Sequence, residues 1–74
     1  EVMLFTTPTC PNCRMIKARG VLHGYTEIDA TDDQNRDLVE KFGITSAPTL
    51  VTIHDGKVRK YENASQIIGY AKAN

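Results

Sequence analysis

Val2-Met3-Leu4-Phe5-Thr6-Thr7-Pro8-Thr9-Cys10-Pro11-Asn12-Cys13 passes from a strand signal, through a break, into a helix start within twelve residues. Four apolar residues in a row suit a strand covered on both faces of a sheet. Pro8 disfavours helical backbone at Thr7, so the chain breaks there. Pro11 has its φ preset and no N–H to leave unpaired, which suits the first helical position. That assignment makes Cys10 the N-cap and sets Cys13 one turn further in. Two thiols separated by two residues can close a disulfide with little backbone movement. They can equally supply half of a metal site.

Outward from this segment, Met15, Ile16, Ala18 and Leu22 continue the helix to His23, with Gly24 as its stop, and Gly20 offers an earlier one. Tyr25 to Ile28 alternates and predicts a short strand. Asp32 or Asp33 can cap a second helix over 35–42, which carries Leu38, Val39 and Phe42 inward and stops at Gly43. Thr49 to Ile53 is the strongest strand signal, Asp55-Gly56 a hairpin turn, and Val58 to Tyr61 the returning strand. That last strand carries Lys57, Arg59 and Lys60 beside and within it, as an edge strand should. Ala64 to Ala73 predicts a final helix capped by Asn63 or Ser65. The order βαβαββα implies an α/β fold. Its first two strands are parallel through a right-handed crossover, its last two are antiparallel, and helices cover both faces of one mixed four-stranded sheet.

The chain has 74 residues, room for a single domain over residues 1–74. Nine basic and nine acidic residues balance to zero net charge, which argues against electrostatic binding to nucleic acid or a membrane surface. No apolar run reaches the roughly 18 residues that a bilayer span requires, and no secretion signal is visible. Two cysteines are too few for a secreted disulfide scaffold, so a cytoplasmic location is expected.

Redox exchange requires a thiolate, and a free thiol, with a pKa of about 8.5, is mostly protonated at neutral pH. A helix N-terminus offers unpaired N–H groups and the positive dipole end, both favouring an anion at Cys10. Cys10 is therefore the expected attacking sulfur and Cys13 the resolving one. Arg14 and Lys17 follow closely and add positive charge. For a closed zinc site two more ligands are needed. Only His23 and His54 are available as imidazoles, far apart on different elements and without ligand spacing. His23 is expected at a helix end and His54 at a solvent-facing strand end.

Residues 37–58 contain Phe42-Gly43-Ile44, Ala47-Pro48-Thr49-Leu50 and Asp55-Gly56-Lys57-Val58, in the order and spacing of the second half of a thioredoxin. Met3-Leu4-Phe5-Thr6 through Cys10-Pro11-Asn12-Cys13-Arg14 looks more like a glutaredoxin. Nearly the whole chain thus resembles the thioredoxin superfamily, at glutaredoxin size. The resemblance implies a minimal thioredoxin fold and a dithiol–disulfide oxidoreductase acting through Cys10 and Cys13 without a bound cofactor. Pro48 matches the family's cis-proline beside the pair. Ala47 holds the position whose backbone pairs with an extended substrate segment, and Pro11 and Asn12 complete the substrate-facing surface.

The departures carry information as well. Thr9 stands where typical thioredoxins have Trp, and Pro11-Asn12 replaces Gly-Pro. Glutaredoxins usually carry a basic residue ahead of the pair and a Gly-Gly-x-Asp segment that helps hold glutathione. Thr6-Thr7-Pro8-Thr9 and Ser65-Gln66-Ile67-Ile68-Gly69-Tyr70 supply neither. This argues for protein disulfides as substrates and a thioredoxin-reductase-type donor, with glutathione coupling as the alternative. A non-catalytic binding module or a structural zinc site is more remote. Ribonucleotide reductase is the client class that the resemblance suggests, and a monomer is expected. The buried acid of thioredoxins has no evident counterpart; Glu27 and Asp29 are nearby candidates, with Glu27 expected to be exposed. Tyr61 and Tyr70 are expected to pack their rings against the sheet.

Overall fold

The computed structural model describes residues 1–73. Its elements run β1 (Val2–Thr6), α1 (Pro11–Arg19), β2 (Thr26–Asp29), a 3₁₀ turn (Asp33–Asn35), α2 (Arg36–Phe42), β3 (Thr49–His54), β4 (Lys57–Tyr61) and α3 (Ala64–Ala73). The sheet order is β2-β1-β3-β4. β1 pairs parallel with β2 and antiparallel with β3, and β3 pairs antiparallel with β4, as the βαβαββα reading expects.

β1 is buried on both sides because its side chains alternate between two cores. Met3 and Phe5 pack with Ile28, Phe42 and Val51 beneath α2. Leu4 packs with Ile16, Leu22, Leu50 and Ile67 beneath α1 and α3. Leu4, Phe5, Leu50, Val51 and Ile67 are fully buried. Truncating such a side chain to Ala costs about 2–5 kcal/mol.

The strands end within one residue of the sequence expectation, and two helix boundaries differ from it. α1 stops at Arg19, at the earlier of the two expected stops rather than at His23: Gly20 adopts a left-handed φ of 61° and its N–H donates to the Lys17 carbonyl. The glycine turns the chain so that Leu22 enters the core from a loop, and His23 lies exposed beyond the helix end. α2 starts at Arg36, because Asp32 caps the 3₁₀ turn ahead of it by accepting from the Gln34 N–H. At the hairpin, Asp55 and Gly56 both take positive φ, at 52° and 77°. Two-residue turns of that kind match the strand twist. At the start of α3, Asn63 accepts from the Gln66 N–H and the Gln66 side chain accepts from the Glu62 N–H.

Gly69 sits inside α3 with open space where a Cβ would stand and no positive φ to justify a glycine. Gly69→Ala should therefore stabilise the fold by about 1 kcal/mol. A higher urea midpoint at unchanged slope would be the readout.

Candidate active site

The end of β1 and the start of β3 lie side by side, since Phe5 pairs with Thr49. The two loops that continue past this register, Thr7–Cys10 and Ser46–Pro48, therefore meet at one edge of the sheet. Cys10 is the N-cap of α1 in extended backbone, and its Sγ accepts the Cys13 N–H at 3.0 Å. The Cys10 N–H in turn donates to the Thr7 carbonyl. Cys10 and Cys13 form a disulfide with Cα atoms 5.2 Å apart. Cys10 is 8% exposed and Cys13 only 1%. Pro11 and Asn12 are exposed beside them.

The Ala47–Pro48 peptide is cis, and Pro48 is buried. Two hydroxyls hold this loop in place. Thr49, 1% exposed, donates to the Ser46 carbonyl at 2.7 Å, and Ser46 donates to the Glu62 carbonyl at 3.3 Å. The backbone of Ala47 has no hydrogen-bond partner among the described residues. These loop-holding roles of Ser46 and Thr49 escaped the sequence reading, which saw Thr49 only as the first residue of a strand. A buried hydroxyl directly after a proline was the available signal, since such a group requires a partner.

The structure brings Cys10 and Cys13 together with neither histidine. Among the described residues, no group of three or more His, Cys, Asp or Glu could hold a metal ion. His54 is 90% exposed near Asp55. The segment reaching the Ala47 loop is Glu62–Asn63 ahead of α3, whereas Ser65 to Tyr70 runs down that helix. The rings of Tyr61 and Tyr70 meet at a tilt of 44° with centroids 4.9 Å apart, and both pack against the α1/α3 core.

Glu27 shares the α1 side of the sheet with its register partner Leu4. One of its oxygens accepts from the buried Thr6 hydroxyl and from Lys17 on α1, each at 3.0 Å. The Lys17 ammonium, chiefly, lowers the Glu27 pKa below its ordinary 4.5. Asp29 is also lowered, by hydrogen bonds from Thr31.

A disulfide-forming Cys-x-x-Cys at a helix start, beside a cis-proline loop and on a four-stranded mixed sheet, defines a thioredoxin-fold thiol–disulfide oxidoreductase. Solved structures agree. A thioredoxin from Fasciola hepatica superposes with a TM-score of 0.74 at 26% identity, covering 97% of this chain and 77% of that one. The germline-specific thioredoxin Deadhead of Drosophila melanogaster gives 0.68 at 17%, covering 97% and 75%. Mitochondrial thioredoxin 3 of Saccharomyces cerevisiae gives 0.67 at 23%, covering 99% and 76%. No curated protein sequence matches the chain. The glutaredoxin family model matches residues 2–58, and the chain belongs to the glutaredoxin family.

The lowered Glu27 pKa fixes a sign. Its stabilisation is fully present above the ordinary carboxylate value and is lost as pH falls through the lowered one. Lys17 and Glu27 are about 40% exposed, so the pair contributes no more than about 1 kcal/mol. Glu27→Gln should thus be slightly less stable than wild type at pH 7 and indistinguishable from it near pH 2, in urea unfolding at both pH values.

Proposed function

We propose that the chain reduces disulfides in client proteins, with Cys10 as nucleophile and Cys13 as resolving thiol. The observation that carries this is the Cys10 sulfur at the α1 N-cap, receiving an N–H and less buried than its partner. The Cys10 thiolate attacks a client disulfide and forms a mixed disulfide, and the departing client sulfur takes a proton. Cys13 then loses its proton and attacks the Cys10 sulfur. The Cys10–Cys13 disulfide closes and the second client thiol leaves. Two electrons pass from the dithiol to the client, and a thioredoxin-reductase-type flavoenzyme would restore them in a reducing, cytoplasmic setting.

The unpaired backbone of Ala47 suits an extended client segment, which would add main-chain hydrogen bonds at little cost in sequence preference. Pro48 is buried within that loop, while Pro11 and Asn12 present a small, uncharged approach to the sulfur. Ribonucleotide reductase remains the client class suggested by the resemblance, with the protein acting as a monomer.

Family membership favours glutathione as the alternative reductant. Against it, Thr6 to Thr9 supply no basic residue ahead of the pair, and Ser65 to Tyr70 run along α3 with no paired glycine to help hold the tripeptide. Turnover coupled to a thioredoxin reductase should exceed turnover with glutathione and its reductase; the opposite ranking selects glutathione.

Cys10→Ser should abolish insulin reduction. Cys13→Ser should accumulate a mixed disulfide visible by mass spectrometry. Ultraviolet titration of the reduced protein should find a thiolate forming below the ordinary value of about 8.5. Equal insulin reduction by wild type and Cys10→Ser would refute the catalytic reading.

A further inference from the structure

Zero net charge conceals a separation of charge across this fold. Four of the nine acids, Asp32, Asp33, Asp37 and Glu40, fall on α2 and the turn leading into it. α1 and α3, on the opposite layer, carry Arg14, Lys17, Arg19 and Lys72 and no acid at all. Lys17 is paired with Glu27. Arg14, Arg19 and Lys72 are exposed and have no ion-pair partner among the described residues.

Between these helices runs an open groove of about 480 Å³. Half-buried Met15 and Ile68 form its apolar lining, Arg19 and Lys72 flank it, and Gly69 contributes to its wall. A glycine inside a helix costs stability. Here neither a positive φ nor a steric clash requires one, since a Cβ at Gly69 would meet no atom. What the glycine does provide is a notch in the groove wall. Both helices begin at the sheet edge that carries Cys10. α1 starts there directly. Tyr61, which leads into α3, pairs with Leu50 near the start of β3. The groove therefore leads away from the disulfide.

Resting on the reading of Cys10 and Cys13 as a reductant of client proteins, we propose that the α1/α3 groove docks an acidic segment of a protein partner. An aliphatic side chain of that segment sits over Met15, Ile68 and Gly69, and its carboxylates meet Arg19 and Lys72. Charge complementarity selects this occupant: two cations without an ion-pair partner among the described residues flank an apolar floor, with Arg14 nearby on α1 and no acid on either helix. Such contacts speed encounter and select partners, and they weaken with salt.

A short cysteine-free peptide of aspartate and glutamate around one leucine tests this on ¹⁵N-labelled oxidised protein. Because the probe has no disulfide, its binding is independent of whether Cys10 attacks anything. Amide shifts should cluster at Met15, Arg19, Ile68, Gly69 and Lys72, diminish with added salt, and vanish for the peptide's asparagine and glutamine counterpart. Arg19→Glu with Lys72→Glu should weaken binding by about tenfold or more, since two exposed ion pairs become repulsive. Gly69→Leu should fill the notch and lose binding while folding at least as stably as wild type. Both variants should still reduce a small aromatic disulfide at the wild-type rate. Undiminished binding to the charge-reversed variant would overturn the proposal. So would shifts centred on Lys57 and Arg59 of β4. Sedimentation showing concentration-dependent self-association abolished by the charge reversal would assign the groove to a second copy instead.

Discussion

β1 is the strand on which every other part of this domain is aligned. It lies between β2 and β3 in the sheet, and its side chains reach into both cores at once. Met3 and Phe5 anchor α2, Leu4 anchors α1 and α3, and Thr6 closes the strand with a hydroxyl bonded to Glu27. A slip of one residue would exchange the two sets of side chains between layers of different shape. Fixing β1 therefore fixes where its last residue lies, and with it the start of the loop that presents Cys10.

The Cys10–Cys13 disulfide inherits its surroundings from that placement. The chain leaves β1, turns through Thr7–Thr9, and enters α1 with a sulfur occupying the N-cap. Across the sheet edge, the cis Ala47–Pro48 loop is held by Thr49 and Ser46 and leaves the backbone of Ala47 open. The Cys10 sulfur and the backbone of Ala47, which has no hydrogen-bond partner among the described residues, thus fall at one end of the sheet, although 36 residues of sequence lie between them. The same arrangement separates charge. The parallel crossover puts α1 on one face, the next helix falls on the other, and the acids that cluster in sequence around α2 are carried away from the cations of α1 and α3.

Local rules located most of the architecture because each signal had a local cause. Pro11 after Cys10 marked a helix start, Asp55-Gly56 a tight turn, and the β-branched run at 49–53 a strand. The length of α1 was harder. Met15, Ile16 and Leu22 keep helical spacing, yet Leu22 is buried from a loop, because the left-handed turn at Gly20 ends the helix first. Periodicity alone cannot distinguish an apolar residue on a helix from one folded back beside it. For the same reason His23 lies outside the helix whose end it was expected to occupy.

The order of strands and helices, the N-cap position of Cys10 and its spacing to Cys13 were determined by the sequence, since proline, glycine and alternation act over a few residues. Which groups meet was decided by the tertiary structure: Glu27 with Thr6 and Lys17, Ser46 with Glu62, and Arg19 with Lys72 along the α1/α3 groove. Those contacts depend on strand register and on which face each crossover takes. Both are set by how the two cores fill on either side of the sheet, a property of the whole chain rather than of any window along it.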